Sequence, residues 1–142
     1  MMLSPLFALA LAQAQPALPM LGTLPRQQLP GRGCVAYLWT VQDQRFVAAA
    51  DPARLRIMLD GAVTDLAAAE AETGGAGTLG FAGSTRYAAN GLTATLAMTI
   101  AQRETLQDGA IVSDATLRIT RDGQDEIVVP VGGLVGCAPA SR

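Results

Sequence analysis

Three Asx-Gly dipeptides, Asp60-Gly61, Asn90-Gly91 and Asp122-Gly123, each stand between two stretches that alternate apolar and polar residues. Asx-Gly suits the tight type I′ hairpin turn, because both central residues there need positive φ. A chain punctuated this way points to antiparallel β-structure, and each hairpin can be checked, since residues opposed across it must share a face. A two-residue loop at Asp60-Gly61 opposes Leu59 with Ala62, Ile57 with Thr64 and Leu55 with Leu66, and sets Arg56 against Asp65 on the other face. The same loop at Asn90-Gly91 puts Ala89, Tyr87, Thr85, Gly83 and Phe81 on one face with Leu92, Ala94, Leu96, Met98 and Ile100, so Tyr87 and Phe81 are expected to point inward. At Asp122-Gly123 a two-residue loop would set Glu126 against Ile119. A loop of Asp122-Gly123-Gln124 instead opposes Ile119 with Ile127, Leu117 with Val129 and Ala115 with Val131, and leaves Arg121 facing Asp125 as an ion pair.

A helix competes for one of these segments, with Asp51 as N-cap, Pro52 at the first helical position, Gly61 past the end and a second helical run over Ala67–Glu72. The period-two spacing of Leu55, Ile57 and Leu59 favours the hairpin. Val35–Val41 also alternates, with Tyr37 and Trp39 on one side and Leu38 on the other, and Gln42-Asp43-Gln44 turns it into Arg45–Ala50. Thr73–Thr78 reads as a flexible loop, and Gln102–Gly109 as a second loop with room for one helical turn. Pro130 cannot donate to a ladder, so its strand is expected to lie at an edge or to end there. The fold class expected is all-β, a small antiparallel barrel or sandwich of seven to eight hairpin-connected strands.

The flanks carry the export signals. Leu3–Ala12 is an uncharged apolar run followed by Ala12-Gln13-Ala14, the small-x-small form of a signal-peptidase site, so residues 1–14 read as a signal peptide and the mature chain is expected to begin at Gln15. Residues 15–33 hold Pro16, Pro19, Pro25 and Pro30 with three glycines and read as an exposed arm or linker, whose Leu18, Met20, Leu21 and Leu24 are expected to lie along the domain surface. The β domain spans 34–137, and 138–142 is a tail. Cys34 and Cys137 bracket the patterned sequence, and paired they staple its first element to its last. Closing a loop of about 100 residues is worth up to about 4.7 kcal/mol in the chain-entropy model. Two buried free thiols are the alternative; oxidising compartments favour the bridge. The expected localisation is periplasmic or secreted, with no transmembrane segment after cleavage.

Composition removes several kinds of chemistry. The chain has no His, and all ten of its cations are Arg, so Ser-His-Asp triads, His-ligated zinc, Schiff-base lysines and P-loops cannot be built. With 4% aromatics and a net charge of −2 it also lacks the basic, stacking surface of a nucleic-acid binder. Asp43, Asp60, Asp108 and Asp122 sit in expected turns, where carboxylates bond local amides, and Asp125-Glu126 point to opposite faces of a strand. No catalytic residue, metal site or cofactor is expected. Arg54 and Arg56, two apart on one strand, project to one face and with Arg118 could hold an anion; a solvated sheet face with Arg56 engaged by Asp65 is the plainer alternative. Tyr37, Trp39 and Phe46 are expected in the core, because a chain with six aromatics needs some inside.

Gly83-Ser84-Thr85-Arg86-Tyr87, together with the placement of the cysteines, loosely resembles the periplasmic inhibitors of C-type lysozyme, small barrels presenting a Ser/Gly-rich segment that ends in a cation and Tyr. The likeness covers those five residues and the cysteines only. It implies Ser84 and Arg86 as inserting residues, which suits their outward direction. The function expected is that of an exported non-catalytic β-domain acting as a binding or interaction module in the bacterial envelope, on an envelope protein or a small ligand. An inhibitor of a secreted hydrolase and a carrier of a small hydrophobic ligand are the alternatives.

Overall fold

The computed structural model describes residues 20–73, 78–102 and 109–138. The expected signal peptide, the first residues of the arm, the centres of the two expected loops and the end of the tail lie outside the described residues. Nine strands follow in order: β1 (Leu21–Gly22), β2 (Cys34–Thr40), β3 (Phe46–Ala50), β4 (Arg54–Leu59), β5 (Ala62–Thr73), β6 (Ser84–Ala89), β7 (Leu92–Ala101), β8 (Gly109–Arg121) and β9 (Ile127–Cys137). From β2 to β9 every strand pairs antiparallel with the next, and β9 pairs back onto β2. The result is a closed eight-stranded up-and-down barrel with β1 as an extra strand. Closure settles the choice between barrel and sandwich and removes the free edges that an open sheet would present.

The hairpin registers are those the turns dictate. Leu59↔Ala62, Ile57↔Thr64, Leu55↔Leu66 and Arg56↔Asp65 pair across β4–β5, so Arg54–Thr73 is a hairpin and the helical alternative falls. Asp51 still caps, but in a turn between strands: its Oδ1 accepts from the amides of Ala53 at 2.7 Å and Arg54 at 2.8 Å. Asp60 and Asn90 adopt φ of 50° and 46°, with Gly61 and Gly91 at 82° and 79° behind them, the signature of two type I′ turns. Across β8–β9, Ile119↔Ile127, Leu117↔Val129 and Ala115↔Val131 hold. Arg121, however, pairs with Asp60 and not with Asp125, because closure brings the β4–β5 turn to the end of β8.

Period two then sorts side chains between the inside and outside of the barrel. Leu38, Leu55, Ile57, Leu66, Leu96, Leu117 and Ile119 fill the interior, with Ala36, Ala48, Ala50 and Ala94 between them where the walls come close. Tyr87 and Phe81 point inward as expected, and the Tyr87 hydroxyl donates to the Asp51 carbonyl at 2.8 Å, tying β6 to the β3–β4 turn. Burial, reinforced by the nearby Asp51 charge, pushes the Tyr87 phenol up to about 12. Cys34 and Cys137 are directly opposed in the β2–β9 ladder and form the disulfide, 103 residues apart in sequence.

Two expectations about the flanks are refined. The arm is part of the wall. β3 accompanies β4 only over Leu55–Ile57, and β1 takes over at Met58 and Leu59, with Leu21 and Leu24 buried behind it. Met20 stays exposed. β9 is not an edge strand, since β8 and β2 flank it; yet Pro130 stands one residue past Val131, where the β2 ladder stops, so its missing donor breaks no pair there.

Candidate functional site

The largest departure from expectation is on the outside of β2 and β3. Tyr37 and Trp39 alternate with the buried Leu38, and they occupy the outer face, not the core. Phe46 joins them because of a bulge. Ala48 and Ala50 point inward, so strict alternation would turn Phe46 inward too; the register instead steps from Leu38↔Ala48 to Trp39↔Phe46, and the extra residue Val47 takes the buried place. Phe46 then packs on Trp39 with ring centroids 5.1 Å apart and on Tyr37 at 6.3 Å. Beside them runs a lane of glycines on β9. The Tyr37 ring lies against Gly136 and the indole against Gly133, so no side chain lifts either ring off the sheet.

The arm forms the other wall of this site. After Leu24, whose amide bonds the Phe46 carbonyl at 2.7 Å, Pro25–Pro30 runs over the outer face of the sheet, and the Tyr37 hydroxyl donates to the Gln28 carbonyl at 3.3 Å. Between arm and sheet lies a groove of ≈ 400 Å³ lined by Arg26, Gln27, Leu29, Tyr37, Trp39 and Phe46. Leu29 forms its lip at 80% exposure, and Trp39 keeps 36% of its surface open. Tyr37 and Gln27 also line a smaller polar pocket of ≈ 160 Å³ that continues the groove towards Gln28, Asp51, Arg54 and Arg56.

Electrostatics divides the two arginines of that pocket. Arg56 is committed: Nε and Nη2 engage Asp65 at 2.7 and 3.0 Å, and Nη1 reaches Gln27 Oε1 at 2.9 Å. The hydrogen bonds from Arg56 hold the Asp65 carboxyl below its ordinary range, outweighing the opposing effect of burial. Arg54 is hardly engaged: among the described residues its guanidinium makes only a 3.9 Å ion pair with Asp65. Desolvation raises the Tyr37 phenol, which is therefore a neutral hydrogen-bond donor at ordinary pH.

The other residues singled out from the sequence lie elsewhere. Arg118 is on β8, four strands from β4 around the barrel and paired with Glu126 at 3.0 Å, so the expected cluster of Arg54, Arg56 and Arg118 does not form. Ser84 and Arg86 belong to β6, a wall strand between β5 and β7, half-buried and both engaged with other groups of the chain. Asp43 and Asp60 do the local work expected of turn carboxylates: Asp43 takes Thr40 Oγ1 and Arg45 Nε, and Asp60 takes Arg121 and the Met20 amide. Sequence alone missed the outer aromatic cluster. Two signals for it were present, the glycines Gly132, Gly133 and Gly136 in the closing strand and the aliphatic row Ala36-x-Leu38 matching the other inward rows.

Apolar side chains inside and Arg54, Arg56, Asp65 and Arg118 outside make this a barrel with a filled core and a charged exterior, the inverse of a channel-lined membrane barrel. Among the described residues no helix is long and apolar enough to cross a membrane. Comparison of the chain with protein-family models, with curated proteins and with solved structures finds no match.

Proposed function

We propose that this chain is an exported, non-catalytic β-barrel domain that serves as a binding module in the bacterial envelope, with the outer face of β2–β4 and the Pro-rich arm as its recognition surface. One observation carries the reading: three of the six aromatic residues form a single cluster on the outside wall, while only Tyr87 and Phe81 among the described aromatics join the aliphatic and alanine side chains inside. Holding these rings on the outer wall leaves part of each in water, with Trp39 36% exposed, and forgoes part of the roughly 2 kcal/mol that full burial of each would supply. Aromatic and arginine side chains gathered around a groove are the groups that dominate recognition surfaces. The disulfide across the β2–β9 seam suits an oxidising compartment, as the apolar leader and its small-x-small site require.

The reading has two tests. Protein recovered from the periplasm should have the mass of a chain beginning at Gln15 and should react with a thiol reagent only after reduction; an unprocessed chain with two free thiols overturns export. Purified protein should co-sediment with isolated envelope material, and Trp39→Ala should release it without changing the melting temperature. Equal sedimentation of both proteins overturns the assignment of the surface.

A further inference from the structure

Resting on the reading of the outer wall as a recognition surface, we infer that the groove between the arm and β2–β4 takes a neutral oligosaccharide, with sugar rings stacked on Trp39 and Tyr37 and hydroxyl groups bonded at the Arg54 end. The aromatic half supplies the first requirement. The glycines beneath Tyr37 and Trp39 let both rings approach the sheet, and both rings line the groove. The C–H groups on one side of a pyranose ring form an apolar, slightly positive surface that matches the negative face of an aromatic ring. A stack of this kind needs no charge and no deep cavity; the groove is open, and Arg26 on the arm is its one charged lining residue among the described residues.

The polar half supplies the second. Arg54, Arg56 and Asp51 line the pocket with Gln27 and Gln28, and Asp65 stands behind the two arginines. Two cations and two carboxylates balance within the pocket, and with Arg26 of the groove the whole surface carries three cations against two carboxylates, a single net charge. Its hydrogen-bonding capacity is nevertheless unspent. Arg54 keeps most of its five donors, Asp51 uses Oδ1 on turn amides, and the Gln28 side-chain amide makes no hydrogen bond among the described residues. Guanidinium, carboxylate and carboxamide groups are planar and two-pronged, the geometry that pairs with neighbouring hydroxyls on a sugar ring. A neutral ligand that is apolar on its ring faces and hydroxylated at its edges satisfies both halves together. A nucleotide meets Asp51 and Asp65, and a purely apolar ligand leaves the pocket's polar groups without partners. Tyr37 and Gln27 line both halves, so one extended chain of two or more sugar units can reach from the rings to Arg54.

Trp39 is the chain's single tryptophan, so its fluorescence reports directly on the aromatic half. The full mature protein is titrated with the hexasaccharides of β-1,4-glucose, α-1,4-glucose and β-1,4-N-acetylglucosamine, with inorganic phosphate and a decaproline peptide as contrasts. At least one hexasaccharide is expected to give a saturable change in emission, stronger than the corresponding disaccharide. Arg54→Ala, which leaves Trp39 in place, is expected to weaken it by about tenfold or more, the loss of one well-placed charged hydrogen bond. Both Arg54→Ala and Arg54→Lys should keep the wild-type melting temperature, so a loss of binding is not a loss of fold. A flat response to all three hexasaccharides with envelope sedimentation intact overturns the saccharide assignment and leaves the recognition surface standing. Saturation by decaproline alone makes the groove a peptide site, and saturation by phosphate alone makes it an anion site; each overturns the inference. Loss of both sugar response and sedimentation in the wild-type protein overturns the two readings together.

Discussion

Gly133 is the tightest point of the barrel, and replacing it tests the closure that the rest of the structure depends on. It sits on β9 beside a bulge, where β8 carries an additional residue between Val112 and Ala115, and it pairs with Leu38 of β2. A Cβ built there falls 1.9 Å from the Tyr37 carbonyl oxygen and 3.0 Å from the indole Cε3. Backbone cannot rotate out of the way as a side chain does, so Gly133→Ala must part β9 from β2 by more than about 1 Å to reach ordinary contact. Overpacking of this kind costs about 1–3 kcal/mol, and each ladder bond weakened at the seam adds about 1 kcal/mol, so a loss of about 2–4 kcal/mol is expected. With a urea slope of about 2 kcal/mol per molar, the midpoint falls by about 1–2 M. Two neighbours serve as controls. At Gly132 the new methyl would lie 3.4 Å from the Val112 oxygen, and at Gly136 it would lie 3.4 Å from a Tyr37 ring that can tilt. Neither has positive φ, so Gly→Ala at these places is expected within about 1 kcal/mol of wild type, on the stabilising side if the smaller entropy of the unfolded chain prevails. Urea titration followed by Trp39 emission ranks the three. Equal midpoints for Gly133→Ala and Gly136→Ala would refute the close approach of β2 and β9 at this point.

Replacing Cys34 and Cys137 together by Ala is expected to cost about 2–5 kcal/mol, and the urea slope should rise because the uncrosslinked chain exposes more surface when unfolded; an unchanged slope and midpoint would refute a role for the staple in the unfolded state. Tyr87 ionises only at about 12 in the fold, against 10.0 ordinarily, so above pH 10 the unfolded chain gives up a proton that the native one keeps. Stability is therefore whole below pH 10 and falls between pH 10 and 12, by up to about 3 kcal/mol, and Tyr87→Phe should flatten that decline in urea titrations across the window. The hydrogen bond from Arg121, and then that from the Met20 amide, hold Asp60 below its usual range, so its contribution is present above pH 3.8 and is lost as pH falls through the lower folded value. Asp60→Asn retains the turn conformation and should cost no more than about 1 kcal/mol at pH 7. The difference from wild type should vanish in strong acid and shrink in 0.5 M salt, where the screening length is roughly half its physiological value.

Sequence alone determined what is local. Asp60-Gly61 and Asn90-Gly91 fixed two hairpins and their registers, because few residue pairs accept consecutive positive φ and because a slip of one residue would have turned every side chain over. Opposed charges at Arg56 and Asp65 and the inward Tyr87 followed from the same counting, and the pairing of the two cysteines from their places at either end of the patterned sequence. Closure decided what is not local. Alternation placed Tyr37 and Trp39 together on one side of β2 but could not say which side faces the core, since that depends on how sharply the sheet curls and how much volume it encloses. The bulge at Val47 that carries Phe46 out to them lies in the β2–β3 hairpin and breaks the alternation there, while the approach of Gly133 to β2 and the move of Arg121 from Asp125 to Asp60 arise only when β9 meets β2. The groove is a product of that closure and of the arm folding across it, so its two halves, 17 residues apart between Tyr37 and Arg54, become one surface only in the tertiary structure.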